Sequence, residues 1–238
     1  ACTLLTQKTG ELVLTGATGC PEWVVPNADA RGYYQSKLEG DLLGRLTRGG
    51  AKQLSLTERM GLLGDAQALM ASNELPVDAA LGVVTSLLPS DDRDLLTGAL
   101  GMVGSLRREF IPEALRPKYA AFVRRTFGDK ARALGLQPRP GEDEDTRLLR
   151  PSVVRVVALL GEDPSLLASS RELTRKWLEN RSAISPEMVE VVLQLAAVKG
   201  DAALHQRLLA EARKTQDPAE RGKLFAALGS FRDPALAR

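Results

Sequence analysis

Histidine is almost absent from this chain of 238 residues, which contains His205 and no other. One imidazole excludes an H-E-x-x-H zinc helix and any site built from two histidines. The sequence also has neither a G-x-S-x-G nucleophile motif nor a G-x-x-x-x-G-K-[ST] phosphate loop. His205 lies on an amphipathic segment, and we interpret it as a structural side chain at the surface or half-buried. The sequence therefore predicts no catalytic residue and no metal ligand in this chain.

Three further scarcities narrow the class of protein. Aromatic residues make up 4% of the chain, and 32 basic residues nearly balance 30 acidic ones, so the net charge is +2. Nucleic-acid binders usually concentrate far more positive charge, so nucleic acid is not an expected partner. No run approaches the ~18 apolar residues of a membrane-spanning helix, and no secretory signal peptide is visible. We expect a soluble protein and slightly favour the cytoplasm.

Cysteine is scarce as well. Cys2 and Cys20 both lie within the first twenty residues of the chain. They could bridge two adjacent strands, but two thiols do not make the disulfide framework typical of small secreted domains. We interpret both as ordinary thiols, which leaves the redox compartment open.

Patterns typical of β-strands are confined to the first forty residues. Residues 11–15 alternate apolar and polar side chains, residues 23–25 are apolar, and residues 32–34 begin an aromatic segment after a Pro-Asn turn. Three short strands are close to the minimum for a stable sheet. We therefore predict that these residues form a piece of an antiparallel sheet.

From residue 39 the chain is rich in Leu and Ala, and its apolar side chains recur at helical spacing. Ser55 or Thr57 is a suitable N-cap for the second helix. Residues 153–157 could form a strand by propensity, but Pro151 and the Ala-Leu-Leu that follows favour a helix. The pattern predicts a mainly α protein, in which residues 39–238 form a HEAT- or armadillo-like α-solenoid of antiparallel helix pairs.

Several helices of the last third are predicted to begin at a capping residue followed by proline. Proline at the first helical position loses no needed hydrogen bond, and the preceding side-chain oxygen accepts from free amides. The four pairs are Asp163-Pro164, Ser185-Pro186, Asp217-Pro218 and Asp233-Pro234.

Arginine supplies the candidate binding groups. A guanidinium is suited to bidentate capture of a carboxylate, although most arginines on such helices only solvate an exposed face. Seven lie on or beside the predicted middle helices: Arg107, Arg108, Arg124, Arg125, Arg147, Arg150 and Arg155.

Three motifs resemble a known family. Trp23-Val24-Val25-Pro26-Asn27, followed by Gly32-Tyr33-Tyr34, resembles a strand signature of the zinc aminopeptidases that include aminopeptidase N, the puromycin-sensitive enzyme and the endoplasmic-reticulum aminopeptidases. Residues 54–59 and then Leu62-Leu63-Gly64-Asp65 are similar to the first helix of that family's C-terminal domain. Leu149-Arg150, after an acidic loop, resembles a later helix start. The motifs occur in the family's order over nearly the whole chain.

The sequence departs from the family pattern at Gln35-Ser36, where Arg-Val is usual, and at Glu58, where aspartate is commoner. The resemblance implies that the chain is a non-catalytic C-terminal region that caps the substrate cavity of a peptide-cleaving enzyme. It implies that zinc is bound in an upstream catalytic domain of the same polypeptide, so that this domain and the peptide substrate are the expected partners. Arg150 lies in a matched motif and is the arginine predicted to contact a peptide's C-terminal carboxylate, although helix packing is the more usual role for such a side chain. The resemblance also implies that residues 1–38 are the C-terminal strands of an incomplete β-sandwich domain.

The main alternative is a stand-alone helical-repeat adaptor that binds a protein in its concave face. A zinc-binding helix upstream in the reading frame would support the peptidase, whereas an initiator methionine directly before Ala1 would support the adaptor. A helical-repeat nucleic-acid binder is a weaker alternative because the charges are nearly balanced.

Overall fold

The computed structural model describes residues 3–14, 16–88 and 90–236. The chain forms two compact units, Ala1–Pro89 and Ser90–Arg238. Ten α-helices lie in the described residues, which confirms the mainly helical prediction. None of the helices in these ranges combines the length and apolar character that crossing a membrane requires. The domain boundary predicted at residue 38 stays a prediction.

The β-strands predicted for the first forty residues are absent from the part of the chain that the structure describes, so this prediction is wrong. Residues 3–14 have no regular structure and expose apolar side chains, with Leu4 at 85% and Val13 at 74% of full exposure. Ala28–Ala30 form a short 3-10 helix. A strand requires its backbone N–H and C=O groups to pair with a neighbouring segment, and the described residues contain no ladder. Thr15, at the end of the first predicted strand, and Cys2 lie outside them.

The first unit contains three α-helices, with π-helical and 3-10 turns between the first two. The second helix begins where the sequence predicts, because the Ser55 hydroxyl accepts the N–H of Glu58 while the Glu58 carboxylate accepts the N–H of Ser55. The elements are α1 (Leu42–Arg45), the π-helical turn Leu46–Gly50, the 3-10 turn Ala51–Gln53, α2 (Leu56–Ala71) and α3 (Val77–Leu87).

The second unit is built around one short buried helix. Its helices are α4 (Arg93–Ser105), α5 (Arg116–Leu134), α6 (Glu144–Leu159), α7 (Pro164–Glu179), α8 (Val189–Val198), α9 (Ala202–Lys214) and α10 (Pro218–Leu228). Eight of the ten residues of α8 are buried, because α6, α7 and α10 all pack against it. Neighbours in sequence also pack together, as α5 does with α6 and α9 with α10. A solenoid of antiparallel pairs stays a prediction.

Two of the proline-marked helix starts are confirmed. Asp163 accepts the N–H of Leu166 at 3.0 Å at the start of α7, and Asp217 accepts that of Ala219 at 2.9 Å at the start of α10. The start predicted at Ser185 is wrong, because the residues after it form a turn closed by a bond from Met188 N–H to Ser185 O, and α8 begins at the next residue. Asp233 caps a turn through Ala235 N–H at 2.9 Å.

The ambiguous segment 153–157 is helical, as predicted, and lies within α6. Pro151 does not begin this helix but lies inside it. Proline there removes one backbone donor from the helix, so the surrounding contacts must hold α6 together across that position.

Candidate functional site

The first sequence motif folds into a closed loop. The side chain of Asn27 closes it, since Nδ2 donates to Gly32 O and Oδ1 accepts the Gly32 N–H, both at 2.8 Å. The Tyr34 hydroxyl donates to Pro26 O at 2.8 Å. A Cβ added at Gly32 would overlap the ring of Tyr34, so this close approach requires glycine. The motif therefore specifies a loop stabilised by its own side chains.

Two carboxylates on α2 hold the backbone of this segment. Glu58 Oε1 accepts the N–H of Asp29 at 3.1 Å, while Glu58 Oε2 accepts the N–H of Ser55 at 2.8 Å. Asp65 Oδ2 accepts the N–H of Ser36 at 3.1 Å. Residues of the first two family motifs thus meet in space.

A cavity of about 600 Å³ lies between this loop and the helices of the first unit. Its volume falls within the range typical of small-molecule sites. The wall is mainly apolar and includes Leu43, Leu46, Leu54, Leu62, Leu69 and Leu75. Asp65 and Ser36 contribute polar groups to the same wall. The cavity is therefore a candidate binding site.

Carboxylates dominate the charge of the cavity wall. Burial raises the pKa of the Asp65 carboxyl above its ordinary value, an effect that the N–H and the hydroxyl of Ser36 both oppose. The backbone N–H groups of Ser55 and Asp29 lower the pKa of Glu58. Glu74 also lines the cavity and pairs with Lys37 at 3.3 Å. Three carboxylates against one ammonium give the cavity an electrostatic preference for cations.

Arg150, the predicted substrate contact, lies in the interior of the second unit and is fully buried. Its guanidinium donates from Nη1 to Leu134 O and from Nη2 to the carboxylate of Glu142. The hydrogen bond from Arg150 also lowers the pKa of Glu142. These contacts tie the end of α5 to the loop before α6. The contact with a peptide carboxylate stays a prediction.

Four of the other six candidate arginines make contacts in two parts of the second unit, and the remaining two are exposed. Arg108 Nε binds Glu162 at 3.2 Å, and Arg124 donates to Gly161 O, both in the loop after α6. Arg147 pairs with Glu187 at 3.4 Å and Arg155 with Glu190 at 3.3 Å, which connects α6 to the chain at the start of α8. Arg107 and Arg125 are exposed. Several of these arginines therefore tie helices together instead of only solvating a surface.

His205 is half-buried and packs edge-to-face against Phe231, with ring centroids 5.0 Å apart. This contact agrees with its interpretation as a structural side chain. Cys20 is exposed. Across residues 3–14, 16–88 and 90–236, no group of three or more His, Cys, Asp or Glu side chains is placed to hold a metal ion.

The cavity could not be predicted from the sequence, although several of its residues belong to the motifs described above. Asn27, Glu58 and Asp65 stood in motifs, but nothing in their spacing indicated that their segments meet. Ser55 and Glu58 have the spacing of a capping box, which predicts the start of a helix. This spacing does not predict that the other carboxylate oxygen of Glu58 accepts the N–H of Asp29 in a distant loop.

The known proteins to which this chain is similar are aminopeptidases, and the family model that matches it describes a C-terminal domain. The sequence model of the ERAP1-like C-terminal domain family matches residues 23–238. The chain is 23% identical to Aminopeptidase M1 of Arabidopsis thaliana over 99% of its own length and 29% of that protein. It is 26% identical to the Puromycin-sensitive aminopeptidase of Caenorhabditis elegans over 78% of its length and 20% of that protein. Aminopeptidase 2 of Candida albicans is 23% identical over 88% of the chain and 23% of that protein. The chain thus spans less than a third of each of these relatives.

Proposed function

Because the chain belongs to the family of ERAP1-like C-terminal domains, we propose that it is the non-catalytic C-terminal region of a zinc-dependent aminopeptidase. In this proposal an upstream catalytic domain of the same polypeptide removes N-terminal residues from peptides. The zinc bound there supplies an activated water for attack on the peptide bond. Residues 39–238 form the helical-repeat domain, which caps the substrate cavity and limits access to it.

The family match over residues 23–238 carries this proposal. The relatives named above are aminopeptidases, and the chain corresponds to a minor share of each. The single histidine of the sequence cannot build the two-His zinc helix of such an enzyme. If the zinc site lies in another part of the polypeptide, the similarity to aminopeptidases and the single histidine are both explained. Packing of helices that are neighbours in sequence, such as α7 with α8, supports the repeat arrangement.

The role proposed for Arg150 is contact with the C-terminal carboxylate of a bound peptide. Because Arg150 is fully buried and paired with Glu142, an incoming carboxylate must take the place of Glu142 on the guanidinium. The Glu142 side chain retains 13% exposure, so this is the side from which the pair is reached. The exchange replaces one Arg–carboxylate pair by another of the same geometry.

The proposal that catalysis belongs to an upstream domain and not to this chain is tested with the purified chain and with the full polypeptide of its reading frame. The chain alone is expected to bind no stoichiometric zinc and to leave aminoacyl arylamides intact, whereas the full polypeptide hydrolyses them and contains an upstream H-E-x-x-H. Activity of the isolated chain would overturn the proposal. A reading frame without a zinc-binding helix would favour the adaptor.

The role of Arg150 is tested in the full polypeptide with a peptide that has a free C-terminal carboxylate and its C-terminal amide. Arg150→Met is expected to remove the preference in kcat/KM for the free acid, while Arg147→Met, an exposed arginine of the same helix, keeps it. Thermal unfolding of both variants shows whether the fold survives. A preference retained by folded Arg150→Met would restrict Arg150 to a structural role.

A further inference from the structure

The wall of the cavity in the first unit contains two glycines that packing does not require. Gly61 and Gly64 lie inside α2 and line the cavity. Glycine within a helix is unfavourable relative to alanine. A Cβ built on Gly64 meets no atom within 4 Å, and one built on Gly61 meets only the Cβ of Ala30, at 3.9 Å. The effect of both glycines is to keep this side of the cavity open.

The same wall contains a half-buried carboxylate with few partners. Asp65 accepts the N–H of Ser36 at 3.1 Å, whereas an ionised carboxylate has about four lone-pair sites. The Ser36 hydroxyl is buried and lies close enough to the Asp65 carboxylate to help lower its pKa, but it makes no hydrogen bond of good geometry among the described residues. Buried polar groups are normally satisfied, so a donor from outside the described chain would complete both residues.

Charge determines what kind of donor fits. Glu58, Asp65 and Glu74 line the cavity together with a single cationic side chain, Lys37, which is already paired with Glu74. A protonated amine has three donors, enough for the Asp65 carboxylate and the Ser36 hydroxyl at once. An anionic ligand would meet an unfavourable potential.

We infer that this cavity binds a small apolar molecule that carries a protonated amine. The ammonium group donates to Asp65 and Ser36, and the apolar body lies against the leucines of α1 and α2. At about 600 Å³ the cavity accommodates a ligand with a fused aromatic ring and an alkyl chain. The site uses residues of the first unit alone and does not depend on the peptidase assignment.

The test compares two probes that share a fluorescent ring and an alkyl chain, one ending in a protonated amine and the other in a neutral acetamide. Dansylcadaverine has a fluorescent apolar ring and a free primary amine, and its N-acetyl derivative is neutral. At pH 7 the chain is expected to bind the amine about tenfold more tightly than the acetylated probe, the difference typical of one charged hydrogen bond. Dansyl fluorescence should rise as the ring enters the cavity. Equal affinities, or no binding of either probe, would overturn the inference; the second result would also be expected if the cavity holds only polypeptide.

Three variants locate the bound probe. Asp65→Asn is expected to lower the affinity for the amine about tenfold and leave the acetylated probe unchanged. Gly64→Leu places a side chain in the open wall and should weaken both probes. Asp78→Asn, an exposed acidic residue of α3 outside the cavity wall, should change neither.

Circular dichroism establishes that each variant is folded. The comparison of the two probes on the unaltered chain is independent of the variants. Undiminished binding of the amine by folded Asp65→Asn would place the probe elsewhere and overturn the assignment.

Discussion

The two units of the chain bury their helices to very different degrees. In the second unit α8 buries eight of its ten residues, whereas α2 in the first unit has 16 residues and buries only Leu63 and Ala66. Eight of the ten residues of α8 are apolar, whereas α2 has nine apolar residues among sixteen, together with two glycines. Their surroundings differ as well, because α8 is covered by three other helices and α2 faces a loop and a cavity. Burial therefore follows both the apolar content of a helix and the number of helices that cover it.

The units also use ionic side chains differently. In the second unit arginine spans helices: Arg181 lies 4.1 Å from the centre of the Trp177 ring and binds Glu211 at 2.6 Å and Glu220 at 3.1 Å. In the first unit the carboxylates of Glu58 and Asp65 hold backbone N–H groups of an irregular segment. Side chains there replace the ladder partners that a sheet would have provided.

The two tryptophans make this comparison measurable, since Trp23 lies in the first unit and Trp177 in the second. Trp23→Phe leaves a fluorescent reporter of the second unit, and Trp177→Phe leaves one of the first. Urea unfolding followed by fluorescence then gives a free energy of unfolding for each unit.

The largest effect is expected from Arg150→Met in the second unit. The change leaves the Glu142 carboxylate and the Leu134 carbonyl without their shared donor. Removing the buried guanidinium leaves the Leu134 carbonyl unsatisfied inside the unit, so the loss of unfolding free energy should exceed that of every variant below. Urea unfolding in the Trp23→Phe background measures the loss. Adding Glu142→Gln should recover part of the loss, and a change below about 1 kcal/mol would mean that water reaches the guanidinium.

Leu193→Ala comes next and contrasts directly with Leu62→Ala. Leu193 in α8 is fully buried, so its truncation leaves a void and should cost about 3 kcal/mol. Leu62 in α2 is half-buried and already borders the cavity, so the same change should cost about 1 kcal/mol. Each is measured by urea unfolding with the tryptophan of its own unit. Equal losses would show that the cavity wall is as tightly packed as the core around α8.

These differences mark how far the sequence could predict the structure. Local signals were sufficient for α2, α7 and α10, because a cap is made by residues within one turn of each other. The failure at residues 11–15 and 23–25 is of another kind, since alternation does not specify which segment will pair with a strand. The cavity was hidden for the same reason. Asp65 and Ser36 are far apart in sequence. Arg150 belongs to a recognised motif, but nothing in that motif indicated that its side chain would be buried.

Glu58→Ala tests the part of the first unit that short-range signals specify. Loss of the capping box and of the bond to Asp29 should lower the unfolding free energy of the unit by about 1 kcal/mol at pH 7. Because the folded pKa of Glu58 lies below its ordinary 4.5, this stability is fully present above pH 4.5 and is lost as the pH falls through the lowered pKa. Urea unfolding between pH 3 and 7, in the Trp177→Phe background, follows it. The Glu58→Ala curve should show a smaller pH dependence, and parallel curves would exclude the carboxylate as the source.

The smallest effect, and one of opposite sign, is expected from Gly61→Ala. A Cβ at this position meets only Ala30, at 3.9 Å, so the gain in helix propensity is not offset by crowding and should stabilise the first unit by up to about 1 kcal/mol. Gly128→Ala in α5 is the matched change in the second unit, where Gly128 is buried and the new Cβ would lie 3.1 Å from Arg132 Nη1. The exposed guanidinium of Arg132 must shift slightly to make room, so part of the gain should be offset there. Urea unfolding of both variants measures the difference, and a loss of stability on Gly61→Ala would show that the loop around Ala30 needs the space that the glycine leaves.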